Sequence, residues 1–239
     1  MFLSLETFGS VDVAFTDREG GVSMGPWSSL NLGTGNADDP ASVQDNLRLL
    51  GEALGVKQIA RMTQVHGNDV HIIDRSFAGD IPTADALVTN RPGIGLLVRV
   101  ADCIPIVFAD EQARVVGVAH AGRKGMEFGI VGHTVSAMKD LGATTIRAWM
   151  GPRACGACYE VSAELADRVA AVVPDSQSMT SWGAPALDIG AGVKAQLAAE
   201  GVTVTDIGAD LCTIENDTLF SYRRQGQDSG RFGAVVVLR

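Results

Sequence analysis

The sequence predicts a mixed α+β fold, and three observations support this prediction. The chain has 239 residues, is 46% hydrophobic and contains 28 glycines, a composition typical of a glycine-rich globular protein. Short, valine-rich apolar runs follow one another through residues 94–119 with no helical pattern between them. Helical patterns occur mainly after that series, which favours α+β over strict β-α alternation. From the length we expect a single domain spanning residues 1–239.

Four segments have the apolar spacing of amphipathic helices. In the first, Asp39 precedes Pro40, the expected cap and first position of a helix whose apolar face includes Leu47 and Leu50 and which ends at Gly55. The other three helices are predicted over 130–141, 161–173 and 189–197. We expect each helix to lie on a sheet. Strands are predicted at 11–15, 70–73, 94–100, 104–108, 114–119, 145–150, 203–207 and 232–238.

Charge and hydropathy exclude several classes of partner. The net charge of −9 disfavours nucleic acid, because phosphate backbones are bound mainly by clustered Lys and Arg. No apolar run approaches the roughly 20 residues that span a bilayer, and the first ten residues lack the pattern of a secretion signal. We therefore expect a cytoplasmic protein, without membrane association and without an obligatory protein partner.

Three candidate metal ligands stand beside predicted strand ends: His66, Cys103 and His120. Two apolar strands joined by a turn at 110–112 separate Cys103 from His120, so a hairpin would bring these two side chains together. Two imidazoles and one thiolate suit zinc, and three protein ligands leave one position open for water or substrate. The same ligands also suit copper, so the residues alone do not choose the metal.

Other polar residues have plainer interpretations. Asp102, beside Cys103, either orients a ligand or has a structural role. Cys155 and Cys158 have the spacing of a redox pair without its strand and helix context, and we interpret them as a tight turn with one buried thiol. Cys212 is assigned to core packing. The remaining histidines, His71 and His133, are interpreted as solvated or locally hydrogen-bonded.

Eight segments in order along the chain resemble one family. They read EGGVSMGPWSSLNLG, TQVHG, ADALVTNRPG, VADCIPIVFAD, VAHAGRKG, GPRACGACYEV, DLCTIEN and FSYRRQGQDSGRFG. These segments are similar to the YfiH-type family, formerly described as multicopper polyphenol oxidase or laccase and later as purine nucleoside phosphorylase with adenosine deaminase activity. The resemblance covers nearly the whole chain.

The resemblance implies a fold of mixed sheets packed face to face with outer helices, related to the catalytic domain of cytotoxic necrotizing toxins. It places the family's metal ligands, which are also its catalytic residues, on His66, Cys103 and His120, with zinc as cofactor and copper as the alternative. The implied reaction joins adenosine, inosine or methylthioadenosine with phosphate, giving base and ribose 1-phosphate. Guanidinium groups match phosphate oxygens, so the cationic candidates for substrate binding are Arg18, Arg223, Arg224 and Arg231.

Two departures from the family pattern and three rival functions remain. Arg123 and Lys124 replace a Trp-Arg pair, and Arg153 stands where a small or apolar residue is common.

One rival is a hydrolase that edits peptidoglycan precursors with Cys103 as nucleophile and His120 as base. A second is a copper phenol oxidase, against which the total of four histidines counts. The third is a non-catalytic partner protein with a structural zinc and a closed, four-ligand shell.

Overall fold

The computed structural model describes residues 1–74 and 77–239. The strands are β1 (Phe2–Phe8), β2 (Val11–Thr16), β3 (Gln58–Ala60), β4 (Val70–Ile72), β5 (Ala86–Thr89), β6 (Ile94–Val100), β7 (Ile104–Asp110), β8 (Val115–Ala121), β9 (Arg147–Met150), β10 (Gln177–Met179), β11 (Pro185–Leu187), β12 (Thr203–Asp206) and β13 (Phe232–Leu238). The α-helices are α1 (Pro40–Ala53), α2 (Arg123–Glu127), α3 (Ile130–Asp140), α4 (Ala163–Ala170), α5 (Ile189–Ala199) and α6 (Tyr222–Gln225).

Two mixed sheets contain most of the strands. The five-stranded sheet has the order β1-β2-β13-β6-β3, with β3 parallel to β6 and the other pairs antiparallel. The six-stranded sheet has the order β12-β9-β7-β8-β5-β4, with parallel pairs at both edges and antiparallel pairs in the middle. Strands β10 and β11 form a separate antiparallel pair.

The main core lies between the two sheets. Alternate residues of each strand point to this interface, as the two-residue period of a strand requires. The five-stranded sheet contributes Val98 and Val236, and the six-stranded sheet contributes Val107, Val118 and Trp149, all almost fully buried. The sheets therefore pack face to face, as the resemblance implied.

Helices cover the outer face of each sheet. Leu47 and Leu50 of α1 pack against Leu97 and Val235 of the five-stranded sheet. Helices α3, α4 and α5 add apolar side chains to a third cluster on the outer face of the six-stranded sheet. Helix α1 begins as predicted, because the Asp39 side chain accepts hydrogen bonds from backbone N–H groups of the first turn and the proline follows it. The predicted α+β class is confirmed.

All eight predicted strands and all four predicted helices are present, with ends that differ by a few residues. Five further strands, β1, β3, β5, β10 and β11, and the short helices α2 and α6 were not predicted from the sequence. Most of the missed strands have three or four residues, too few to display a period, while β1 is an edge strand with polar residues among its apolar ones. Among the described residues, no helix has the length and apolarity needed to cross a membrane.

Candidate active site

The predicted hairpin brings Cys103 and His120 together. Strands β7 and β8 are antiparallel, with Pro105 opposite His120, and Cys103 lies immediately before β7. A loop between β3 and β4 supplies His66. The ligand atoms of His66, Cys103 and His120, which we call the cleft cluster, all lie within 4.8 Å of one another.

Asp85 holds both histidines in place, and the sequence analysis did not identify it. Its buried carboxylate accepts hydrogen bonds from the backbone N–H groups of Val65 (3.2 Å), His66 (3.0 Å) and Gly67 (2.6 Å). These bonds fix a loop in which His66 has a positive φ of 61°. The same carboxylate lies 2.8 Å from Nδ1 of His120, which directs the other ring nitrogen of His120 toward Cys103. The sequence feature that could have identified Asp85 is its position directly before an apolar run, in ADALV.

The cleft cluster favours a thiolate facing an imidazolium. Burial by itself would raise the pKa of Cys103, but the charge of His120 and hydrogen bonds from both histidines lower that pKa to about 6. For His120, burial acts to lower the pKa, but the Cys103 thiolate and Asp85 raise it to about 9. Near neutral pH the metal-free cluster therefore contains a deprotonated sulfur, the form that binds metals and reacts with electrophiles.

The residues of the cleft cluster fit a metal ion with one open position. Cys103 Sγ lies 3.8 Å from His66 Nε2, and the two imidazole rings meet edge to face with centroids 4.7 Å apart. Gly122 keeps this space clear, since a Cβ there would lie 2.8 Å from Cys103 Sγ. Thiolate and imidazole form a donor set suited to zinc and also to copper. Among the described residues, no fourth His, Cys, Asp or Glu joins the set.

A cleft of about 680 Å³ opens beside the cleft cluster and carries excess positive charge. Arg61, Arg99 and Arg231, which we call the arginine cluster, line it. Arg99 donates to the carbonyl of Met62 (2.6 Å) and to Thr34 Oγ1 (2.9 Å), while its buried Nε has no partner among the described residues. Burial, together with the charges of Arg61 and Arg231, lowers the pKa of Arg99 to about 10.

The arginine cluster has few compensating negative charges, namely those of Cys103 and Asp102 acting on Arg231. In the part of the chain that the structure describes, Arg61, Arg99 and Arg231 form no ion pair. Clustered guanidinium groups at a partly buried surface repel one another unless an anion binds between them. Arg231 was predicted from the sequence as a phosphate ligand, whereas Arg61 and Arg99 were not. Arg99 is the charged residue in the otherwise apolar strand β6, and a charge in such a strand is the sequence feature that could have identified it as a candidate.

The structure places the four predicted arginines in different settings. Arg223 and Arg231 line the cleft. Arg18 and Arg224 do not line it, and their guanidinium groups donate to several backbone carbonyls. Arg18 donates to the carbonyls of Ser28, Pro26 and Asp217, and Arg224 donates to those of Thr213, Ile214, Asn216 and Leu219.

Aromatic and apolar side chains form another part of the cleft wall. Tyr222 is 49% exposed and Ile81 is 47% exposed, although both are large hydrophobic residues. Tyr159 also lines the cleft, with the guanidinium of Arg223 stacked 4.4 Å from its ring centroid. A flat apolar ligand therefore has a surface to contact beside the charged groups.

The remaining singled-out residues have mainly structural contacts. Asp102, with a positive φ of 87°, accepts from Thr213 Oγ1 (2.6 Å) and from the backbone N–H of Arg223 (2.7 Å). Arg123 lines the cleft and forms an ion pair with Glu127 at 2.8 Å. Its neighbour Lys124 is exposed. Of the two other histidines, His133 is exposed on α3 and His71 is half-buried in β4.

The three other cysteines lie together, contrary to the separate roles predicted for them. Residues 155–158 form the predicted turn, with a hydrogen bond from the Cys158 N–H to the Cys155 carbonyl. However, Cys212 is absent from the hydrophobic clusters and lies with both of these thiols and with Glu215. The core assignment of Cys212 was therefore wrong, because a contact between distant segments of the chain has no local signature.

The fold and the site define an α+β protein with a candidate three-ligand metal centre at an arginine-lined cleft. A family model described as Multi-copper polyphenol oxidoreductase laccase matches residues 12–239. The chain therefore belongs to this laccase-like family, which confirms the resemblance to YfiH-type proteins.

Individual relatives agree with this assignment. The chain is 48% identical over 236 residues to a protein of Streptomyces griseus named purine nucleoside phosphorylase, covering 96% of this chain and 95% of that one. Protein NMB0706 of Neisseria meningitidis superposes with a TM-score of 0.88 at 32% identity, covering 99% and 98% of the two chains. YlmD from Geobacillus stearothermophilus superposes with a TM-score of 0.85 at 32% identity, covering 97% and 93%. The name of the Streptomyces griseus protein indicates an enzyme.

Proposed function

We propose that this protein is a zinc-dependent purine nucleoside phosphorylase. It would convert adenosine, inosine or methylthioadenosine and phosphate to the free base and ribose 1-phosphate. The observation that carries the proposal is the arginine cluster, three guanidinium groups without ion-pair partners among the described residues, in the same cleft as the cleft cluster. The names of the relatives support the reaction.

The charge of the cleft favours an anionic substrate. The whole chain has a net charge of −9, yet five arginines and a single carboxylate, that of Asp102, line the cleft. Both oxygens of that carboxylate already accept hydrogen bonds. Guanidinium groups bind phosphate through paired N–H donors. We therefore assign phosphate to Arg61, Arg99 and Arg231, with Arg223 beside them.

The uncharged wall of the cleft suits the nucleoside. A volume of about 680 Å³ lies within the range of small-molecule sites, roughly 300–1,000 Å³. Tyr222 offers an exposed ring on which a purine would stack, and Ile81 offers an exposed aliphatic surface. The ribose would then lie between this wall and the arginine cluster.

The reaction depends mainly on positioning and electrostatics. A phosphate oxygen forms a bond to C1′ of the ribose while the bond from C1′ to the purine nitrogen breaks, and the base leaves with that electron pair and takes up a proton. The arginine cluster holds the phosphate against the sugar and reduces its freedom of motion. His66, Cys103 and His120 would hold the zinc, which supplies a Lewis-acid charge and an open coordination position. Asp85 keeps the two histidines in the orientation that this requires.

Adenosine deamination is proposed as a second activity of the same cleft. In this reaction water replaces the amino group at C6 of the purine, and ammonia and inosine are released. The support is the open, three-ligand character of the cleft cluster, which is the arrangement of hydrolytic zinc sites. Release of ammonia without phosphate in the assay distinguishes this activity from phosphorolysis.

The central experiment measures zinc and phosphorolysis on one preparation. Zinc-loaded protein is assayed with inosine and phosphate for ribose 1-phosphate, alongside Cys103→Ala, Arg231→Ala and the surface control Arg48→Ala. We expect Cys103→Ala to lose activity and Arg231→Ala to raise the KM for phosphate by about 10-fold or more, the value of a charged hydrogen bond. Arg48, an exposed residue on α1, should behave as wild type. No ribose 1-phosphate from the zinc-loaded wild type would reject the proposal.

A cysteine hydrolase is the second candidate, because one specific observation favours it. Asp85, His120 and Cys103 stand in the order carboxylate, imidazole and thiolate, which is the arrangement of an activated cysteine nucleophile. Such an enzyme works without metal. Metal-free protein that cleaves peptidoglycan precursor peptides, and stops when zinc is added, would establish this candidate in place of the phosphorylase.

A further inference from the structure

A second group of potential metal ligands lies outside the cleft cluster. The sulfur atoms of Cys155, Cys158 and Cys212 and a carboxylate oxygen of Glu215 all lie within 4.8 Å of one another. We call these four residues the loop cluster. None of them lines the cleft, and the proposed phosphorylase reaction does not use them.

The loop cluster combines two short segments with the same spacing. Cys155 and Cys158 are separated by two residues, and so are Cys212 and Glu215. In each segment the first cysteine carbonyl accepts hydrogen bonds from the backbone N–H groups three and four residues further on, so that both segments fold as the same kind of turn. Two such turns facing each other supply the ligands of many structural zinc sites.

Backbone contacts hold the two turns in register. The N–H of Thr213 donates to the carbonyl of Arg153 at 3.0 Å, and the N–H of Cys155 donates to the sulfur of Cys212 at 3.4 Å. The sulfur of Cys212 is therefore held beside the backbone of the first turn.

Neighbouring groups hold the first turn rigidly. Arg153 forms two hydrogen bonds of 2.8 Å to the carboxylate of Asp206. Gly156 packs so closely that a Cβ there would lie 2.8 Å from both Asp188 Cβ and Ser178 Oγ. The ligands are therefore arranged before any ion binds, which reduces the entropic cost of binding.

We propose that Cys155, Cys158, Cys212 and Glu215 form a structural zinc site. It fastens the 151–161 segment to the 210–216 segment. This position links the site to the cleft wall, because Tyr159 lies within the first segment and Arg223 follows the second by seven residues. The site is separate from the cleft cluster, and the proposal does not depend on the phosphorylase activity.

The distances and the ligand types agree with zinc. In a tetrahedral site with Zn–S bonds of about 2.3 Å, two sulfur ligands lie about 3.8 Å apart, within the 4.8 Å limit of this cluster. Three thiolates and one carboxylate complete four positions and leave none open, as expected of a structural site. Cys158 and Ile214 line a surface depression of about 520 Å³, through which an ion can enter.

Zinc counting in a chain without the cleft cluster tests this proposal. The variant His66→Ala/Cys103→Ala is purified with reductant and without oxygen, equilibrated with zinc and passed through a desalting column. We expect one zinc per chain. Adding Cys155→Ser and Cys212→Ser to the same chain should remove that zinc. Cobalt in place of zinc should give strong sulfur-to-metal charge-transfer absorption, which the four-fold variant lacks.

A second variant keeps the test decisive if the serine variants fold poorly. Glu215→Cys in the His66→Ala/Cys103→Ala background converts the ligand set to four thiolates, and we expect slower loss of zinc to a chelator and stronger cobalt absorption. Less than 0.1 zinc per chain in the His66→Ala/Cys103→Ala protein would overturn the proposal, whether the thiols are then free or joined as a Cys155–Cys158 disulfide. Unchanged zinc in the serine variants would overturn it as well.

Discussion

The cleft cluster and the loop cluster use the same ligand atom in opposite electrostatic surroundings. In the cleft cluster a single thiol faces two imidazoles, and its pKa falls to about 6 against the effect of burial. In the loop cluster three thiols face one another, and burial together with the neighbouring thiols raises the pKa of Cys158 and of Cys212. In both groups the ligand atoms lie within 4.8 Å of one another.

The comparison shows that neighbours, more than the cysteine itself, decide what a thiol does. The cleft cluster keeps its thiolate without a metal because His120 carries a compensating positive charge. The loop cluster has no such partner and needs a cation before it can lose its protons. One arrangement therefore suits reactivity at an open position, and the other suits a closed structural shell.

Thermal unfolding provides the strongest contrast between the two clusters. In Cys103→Ala protein, zinc at about 1,000 times its dissociation constant should stabilise the fold through the loop cluster by about 4 kcal/mol. For a chain of this length the Tm should rise on the order of 10 °C. The double variant Cys103→Ala/Cys212→Ser should show no such rise in differential scanning calorimetry. Equal shifts in both proteins would contradict the distinction.

Asp85→Asn should damage the cleft cluster while leaving the loop cluster intact. The variant preserves the shape of the side chain but loses the charge that orients His120 and the 65–67 loop. Loss of such a supporting carboxylate typically lowers metal affinity or activity by about 10- to 100-fold. Measuring phosphorolysis at saturating and at limiting zinc separates a loss of zinc affinity from a loss of activity in the zinc-bound protein. Asp45→Asn, on the exposed side of α1, is the matched control.

The reactivity of the cysteines toward iodoacetamide should differ with pH. In metal-free protein, Cys103 should react faster as the pH rises through about 6, whereas Cys158 should stay protonated and slow at neutral pH. We expect a rate difference of about 10-fold or more at pH 7, measured by mass spectrometry of labelled peptides. Faster labelling of Cys158 at that pH would reverse the assignment of the two environments.

The same pKa shifts set a window of stability for the metal-free cleft cluster. The lowered pKa of Cys103 means that its contribution is fully present above 9.0, the pKa of the unfolded chain, and is lost as pH falls through about 6. The raised pKa of His120 contributes fully below 6.5, and this contribution is lost as pH rises through about 9. Their mutual stabilisation should therefore be largest between about pH 6 and 9, which urea unfolding across that range measures.

Gly122→Ala should have the smallest effect. The new methyl group would lie 2.8 Å from Cys103 Sγ and 3.0 Å from His66 Cδ2, so both ligands must shift slightly. We expect zinc affinity of the cleft cluster to fall several-fold, by about 1 kcal/mol, with zinc at the loop cluster unaffected. Gly132→Ala on α3 is the control, because it meets only the flexible end of Glu200. Identical zinc titrations of the two variants would show that the cleft cluster tolerates the methyl group.

The sequence predicted the long elements well because each carries its own signal. The cap formed by Asp39 and Pro40 and the leucine spacing after it place α1 to within two residues. Strand β5, in contrast, has only four residues and lies between β4 and β8 in the six-stranded sheet. It forms a hairpin with neither strand, because it is parallel to β4 and is separated from β8 in the sequence by two other strands. Its position depends on pairing across the sheet, which a local pattern does not contain.

The candidate site was predicted only where its residues share a local pattern. The hairpin of β7 and β8 joins Cys103 to His120, and this contact follows from spacing alone. The roles of Asp85, Arg61 and Arg99 depend on segments that meet only after folding. The same holds for the loop cluster, because Cys158 and Cys212 are 54 residues apart in the sequence. Charge and residue type identify such side chains as candidates, but only the fold brings them together.

Asp102 joins the two clusters through one side chain. It precedes Cys103 directly, and its carboxylate accepts from Thr213, the residue after Cys212. Any free energy that this contact transmits is reciprocal by thermodynamic linkage. Filling the loop cluster would therefore change the affinity of the cleft for its metal by the same factor by which the cleft metal changes the affinity of the loop cluster.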